Sequence, residues 1–220
     1  MATITESFAN LSTFLLAEFQ RESTFATARP HARARQLLVD RFLRPLLPTS
    51  VRVGPGTLID VRDRGVGPFD VIACSDAFPP FGDGLETRFL VDGAIFACNM
   101  RDWAAEPISD FAKWAMQVKN LERAQTQPLL CAALSYTPVS LEELKDFMQG
   151  PEGKAVDAVF CMGHHLIARN DRGLFGDPAK IPFVTQRESA QAFKAFAFLL
   201  LQATQAYLGN PFDLGRYQHL

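Results

Sequence analysis

Apolar residues recur at helical spacing near the start of the chain, where Phe8, Leu11, Leu15 and Phe19 share one side of a helix predicted over 5–20. A second helical run, RPHARARQLLVDRFLRPLLP, covers 29–48 and is stopped by Pro45 and Pro48. Alternation then replaces the helical period. SVRVGPGTLIDVRD predicts two short strands around a turn at Gly54-Pro55-Gly56, and FDVIACS (69–75) predicts a buried strand. DAFPPFGDG reads as a loop. RFLVDGAIFACNMRD (88–102) predicts one long strand, with Ala94, Phe96, Cys98 and Met100 on one face and Gly93, Ile95, Ala97, Asn99 and Arg101 on the other. The first face stays apolar to its end, while the second turns polar at its C-terminal end.

The next stretch, EPISDFAKWAMQVKNLERA, returns to helical period through Ile108, Phe111, Ala115, Val118 and Leu121, with Ser109 placed to cap its start. Within it, Gln117-Val118-Lys119 spells the second half of a nuclease motif. On a helix, residues two apart do not face each other, so these letters predict no catalytic strand. PLLCAALSY reads as a strand, and SLEELKDFM as a helix with Ser140 and Glu143 in capping-box spacing. AVDAVFCMGHHLIARND reads as a hairpin turning near Gly163. A long last helix is predicted from a second capping box, Thr185 to Glu188, through Leu208, with Gly209 and Pro211 ending it. Strands and helices alternate without an internal repeat, which predicts an N-terminal helix over 1–24 and one α/β domain over 25–220.

Composition narrows the partners. The 220 residues are 48% hydrophobic and 21% charged, ordinary for one globular domain, and the net charge of -2 gives no global pull toward nucleic acid or anionic membrane. A locally basic segment remains, with Arg29, His31, Arg33, Arg35, Arg41 and Arg44; it suits a phosphate or an acidic protein surface, or is a solvated helix face. The N-terminus lacks a basic stretch ahead of an apolar core, and the longest apolar run, AFAFLLL (195–201), is too short to span a bilayer. A cytoplasmic protein with no membrane partner is expected. The helix carrying that run is more apolar than one face requires, so it is either packed on several sides or forms a homo-oligomer interface through residues such as Phe198 and Leu201.

Cys74, Cys98, Cys131 and Cys161 each sit in an apolar run and form no C-x-x-C pair, which predicts buried reduced thiols rather than a zinc site. His164 and His165, adjacent near a turn, face opposite ways on a strand and predict no metal pair. No phosphate-binding loop, dinucleotide fingerprint or nucleophile elbow is present.

Several segments in order, RQLLVDRFLRPLLPTSVRVGPGTLID, FDVIACSDAFPPF and VDGAIFACNMRDW, followed by VDAVFCMG and the last helix, resemble a bacterial domain-of-unknown-function family related to the PD-(D/E)XK nuclease-like superfamily. The resemblance spans most of residues 25–210 and rests on the order and spacing of segments rather than on one motif. It implies a restriction-endonuclease-like mixed central sheet flanked by helices, in a single α/β domain. In that superfamily an aspartate and a glutamate hold Mg²⁺ or Mn²⁺ near the scissile phosphate. A lysine two residues beyond the glutamate shares its strand face, and a glutamate on an early helix assists.

Carried over by that resemblance, the expected Glu, Asp, Glu, Lys set becomes Gln36, Asp70, Asn99, Arg101. A slip of two residues would place Ala97 and Asn99 at the last two positions. Either way two anionic ligands are gone, and hard cations take anionic oxygens. Arginine keeps the charge of lysine but does not lose its proton. The expectation is a degenerate site without a metal cofactor, in which an Asp70–Arg101 ion pair stands where the metal would be. A binding or regulatory subunit then follows, its partner a protein or a nucleic acid. Bacterial antiphage defence is the setting the resemblance implies. Two alternatives stay open: an active nuclease using Mg²⁺ or Mn²⁺ at Asp70 with Asp60, Asp76 or Asp92, and a structural or assembly subunit.

Overall fold

The computed structural model describes residues 4–23, 32–82, 86–101, 107–170, 179–180 and 182–210. Eight strands form one mixed sheet: β1 (Val51–Ile59), β2 (Gly65–Ser75), β3 (Arg88–Leu90), β4 (Ala94–Arg101), β5 (Leu130–Ser135), β6 (Ala158–Cys161), β7 (His165–Arg169) and β8 (Phe183–Gln186). Their order across the sheet is β3-β1-β2-β4-β5-β6-β7-β8. The middle strands β4, β5 and β6 run parallel, and antiparallel hairpins extend the sheet on both sides.

Helices cover both faces. On one side lie α1 (Ile4–Ser23), α2 (Ala32–Leu38), a π-helical turn (Val39–Leu43), α3 (Arg44–Leu46) and the long α6 (Ser189–Tyr207). Leu15, Phe19, Leu38, Phe42, Phe193 and Phe196 are buried there with Phe96, Leu134 and Phe160 of the sheet. On the other side, α4 (Ile108–Lys119) and α5 (Leu141–Gln149) bury Phe111, Val118, Leu144 and Met148 against Ile72, Cys131 and Val159. Period-two alternation drives this division. In β5, Leu130, Ala132 and Leu134 face the first layer, while Cys131 and Ala133 face the second.

Four sequence expectations are corrected. Gly54-Pro55-Gly56 is no turn: β1 runs straight through it as a single strand with shifted register. Pro55 has no N–H to give a ladder, and a Cβ on Gly56 would lie 2.2 Å from the Thr87 carbonyl oxygen, so only glycine lets the chain before β3 approach. The predicted long strand over 88–102 is instead β3, a turn at 91–93, and β4. Ile95 is an extra residue between the Cys74–Ala94 and Ala73–Phe96 pairs, and this bulge sends Ala94 to the layer opposite Phe96. Thr185 does not cap the last helix; it pairs with Ile167 in β8, and α6 begins at Ser189. Ser109 lies inside α4, whose N-cap is Pro107.

Other expectations hold. Gln117 and Lys119 lie on α4, where Lys119 reaches the Leu129 carbonyl and Asp157 instead of a strand face. Ser140 accepts the Glu143 N–H at the start of α5. Gly163 turns the β6–β7 hairpin with φ 78°. Of the two readings of α6, packing on several sides is the one observed. Phe193, Phe196, Leu199 and Leu200 are buried within the chain, and Phe198 and Leu201 are half-buried. No helix among the described residues is long and apolar enough to cross a membrane.

Candidate functional site

The polar cluster forms where two ladders fail together. On one side of β2, register passes from Gly54–Ile72 to Gly56–Phe69, so Asp70 and Val71 oppose Pro55 alone. On its other side, pairing with β4 reaches Val71–Cys98 and stops. Asp70 and Asn99 are the next residues on the two strands. Buried backbone groups need partners, and here side chains supply them. The Asn99 Oδ1 accepts the Asp70 N–H at 3.0 Å, and the Asp70 Oδ2 accepts the Met100 N–H at 2.7 Å. Asn99 is buried to 2% exposure.

The other Asp70 oxygen has a cation. Arg35 Nη1 donates to Oδ1 at 2.6 Å, joining α2 to the sheet. Glu22, near the end of α1, accepts the Arg33 and Ala34 N–H groups and so caps α2 one turn away. Tyr136, just past β5, stacks on Phe19 with ring centroids 4.0 Å apart. Its hydroxyl is buried with no hydrogen-bond partner. Burial pushes the phenol well above its ordinary range; Cys98, Asp70 and Glu22 add to this, and the Arg35 charge opposes it.

Of the residues singled out in the sequence, Asp70 and Asn99 are brought together. Gln36 is not: it is exposed on α2 and donates to Asp40 at 2.8 Å. Ala34 and Leu38, both buried, define the inward face of that helix, and Gln36 lies opposite. Arg101 ends β4 with its backbone beside Ser135, and its side chain lies outside the described residues. His31 and Arg29 also lie outside them. Much of the basic segment is taken up in ion pairs within the chain: Arg33 with Glu18, Arg35 with Asp70, Arg44 with Asp40.

Three further acids were candidates to join Asp70. Asp60 organises the β1–β2 hairpin, Asp76 is exposed beyond the far end of β2, and Asp92 accepts the Ala124 N–H in the turn before β4. None bonds to Asp70 or Asn99. Among the described residues, no group of three or more His, Cys, Asp or Glu is placed to hold a metal. The donor set at Asp70 does not fit Mg²⁺ or Mn²⁺: it offers one carboxylate, and both of its oxygens already accept from protein donors.

The four thiols are buried, and none is in a disulfide. Burial pushes Cys161 up to about 11 and Cys74 up to about 12. His165 has a buried Nε2 without a hydrogen-bond partner, and burial, then His164 and Arg187, hold its pKa below the usual value.

A separate groove of about 590 Å³ lies along β1 where β3 does not cover it, since β3 pairs only with Thr57–Ile59. Arg44, Arg52, Thr49, Thr87 and Phe89 line it.

One mixed eight-stranded sheet with helices on both faces is an α/β fold that solved structures share. Three structures of NucC are among them. The P. aeruginosa ATCC27853 NucC in its cAAA-bound form superposes with a TM-score of 0.76 at 14% identity, covering 100% of both chains. The E. coli MS115-1 NucC gives 0.77 at 14% identity in its cAAA-bound form, over 99% of this chain and 98% of that one. Its apo form gives 0.64 at 13% identity, over 95% and 98%. No family model and no curated protein matches the chain.

Proposed function

We propose that this protein is a nuclease-fold binding or regulatory subunit that does not cleave nucleic acid, working in antiphage defence. Fold and setting are supported by the likeness to NucC, a PD-(D/E)XK-like antiphage nuclease. The observation that carries the reading is the state of Asp70: one carboxylate, bound by Arg35 and the Met100 N–H, with an amide at the neighbouring strand position. Divalent-metal hydrolysis asks for several anionic ligands and an open coordination position, and against this the cluster sets one carboxylate whose two oxygens already accept from protein donors. No metal cofactor is needed on this reading.

The test is a cleavage assay. Purified protein is incubated with supercoiled plasmid, linear DNA and RNA in Mg²⁺ or Mn²⁺, beside Asp70→Ala. Neither protein is expected to cut. Cleavage by the wild type that vanishes in the variant overturns the proposal and makes Asp70 catalytic.

For the partner, the groove along β1 favours a nucleotide. Two arginines and two threonines suit phosphates. The NucC structures that share the fold include cAAA-bound forms. A small nucleotide signal is therefore the ligand proposed for this groove.

A further inference from the structure

We infer that Arg35 is the resident counter-ion of Asp70 and keeps divalent cations out of this corner of the fold. The inference rests on the reading above that Asp70 is no metal centre, and it names the residue that makes it so. Three elements fix the geometry. Glu22 pins the first turn of α2 by accepting the Arg33 and Ala34 N–H groups at 3.0 and 3.1 Å. Ala34 and Leu38 then seat that helix in the core and aim Arg35 along the sheet. Asp70 is held from the far side by the Met100 N–H, and its own N–H by Asn99.

The charges then close on themselves. Arg35 sets one positive charge against the one negative charge of Asp70, and Asn99 adds none. A divalent cation on Asp70 would sit against a guanidinium. Lysine in that place could give up its proton to make room, but arginine stays charged at any ordinary pH. With the Arg35 side chain 37% exposed and Asp70 18% exposed, the pair is partly shielded from solvent screening. The guanidinium must therefore leave, or the cation stays out.

The experiment reads free Mn²⁺ by its paramagnetic resonance signal while full-length protein is added. Wild type, Asp70→Asn, Arg35→Glu, Arg35→Met, and Arg35→Glu combined with Asp70→Asn are compared, each checked for folding by circular dichroism. Wild type is expected to leave the signal unchanged. Arg35→Glu is expected to bind Mn²⁺ at least about tenfold more tightly, because a second carboxylate joins the first, and the added Asp70→Asn to remove that gain. Arg35→Met, which removes the charge without adding a ligand, gains less and serves if Arg35→Glu does not fold. Uptake by wild type that Asp70→Asn abolishes overturns the inference. So does a folded Arg35→Glu that binds no better than wild type, or, where that variant does not fold, an Arg35→Met that does not. Mn²⁺ uptake by wild type without cleavage strikes this inference alone; cleavage strikes the proposed function.

Discussion

Asp60 follows β1 and Asp70 lies within β2, and the chain uses the two carboxylates differently. The Asp60 side chain is completely buried at the β1–β2 hairpin, where it accepts the N–H groups of Arg62, Arg64 and Glu122 and the Arg64 guanidinium. Burial alone would raise its pKa, but those bonds, with Glu122 foremost and then Arg64 and Arg62, outweigh it and hold the carboxyl well below the usual range. Most of its partners are local, and they build a turn. Asp70 keeps some solvent contact and gathers partners distant in sequence, from α2 and β4. A carboxylate saturated by its own turn is a scaffold. One that joins separate elements at a gap between strands stands where a site can form. Most donors to Asp60 come from its own turn, whereas both donors to Asp70 come from other elements.

That contrast can be broken, beginning with the largest effect. Asp60→Ala removes the buried acceptor of the Arg62, Arg64 and Glu122 N–H groups and of the Arg64 guanidinium, and is expected to give the greatest loss of stability among these variants, read as the urea midpoint. If it unfolds at the same midpoint as Asp70→Ala, the distinction between scaffold and site fails. Asp70→Ala frees the Met100 N–H and a half-exposed arginine, a loss of about 1–2 kcal/mol after allowance for solvent screening. Urea unfolding measures both.

A pH series sharpens the comparison. Because the folded pKa of Asp60 is depressed, its contribution is fully present above the unfolded value of about 3.9 and is lost as pH falls toward the folded value. The gap in stability between wild type and Asp60→Asn should be complete at neutral pH and narrow in acid. A constant gap through the acid range would mean that hydrogen-bond geometry, not charge, carries the role of Asp60. The smallest effect on stability is expected from Arg52→Ala in the groove along β1, which is exposed. It should leave the urea midpoint within about 0.5 kcal/mol of wild type while weakening binding of cAAA, titrated by calorimetry. Unchanged binding, or none by the wild type, removes the nucleotide from this groove.

The broad plan was legible because it rests on period. Helical spacing marked α1, α4 and α6, and alternation marked β2, β5, β6 and β7. What escaped depends on contacts distant in sequence. Gly54-Pro55-Gly56 has the composition of a turn, yet β2 and β3 hold it in a strand. The Ile95 bulge leaves no trace in an alternating pattern, since it moves a residue across the sheet without changing its chemistry. At the site, Asp70 and Asn99 were identified together. Arg35 was noticed only as one charge in a basic run. The helical pattern carried the missing signal: with Ala34 and Leu38 facing inward, Arg35 lies beside that face and Gln36 points away. Tyr136 gave no signal, because a lone tyrosine at a strand end has nothing in sequence to mark its neighbours.

The seating of α1 against α6 bears on how the chain is made. Phe8 meets Phe193 with ring centroids 5.6 Å apart, and Leu15 and Phe19 share a buried layer with Phe196 and Leu200. On the ribosome, the first helix emerges long before its packing partner. It must wait, with its apolar side uncovered, until the last helix has left the exit tunnel. The sheet can begin to pair from its hairpins during that interval, but the first layer of the core closes only after α6 has emerged. Truncated or stalled chains should accordingly expose Phe8, Leu15 and Phe19 to chaperones, and the protein acquires its fold in one late step.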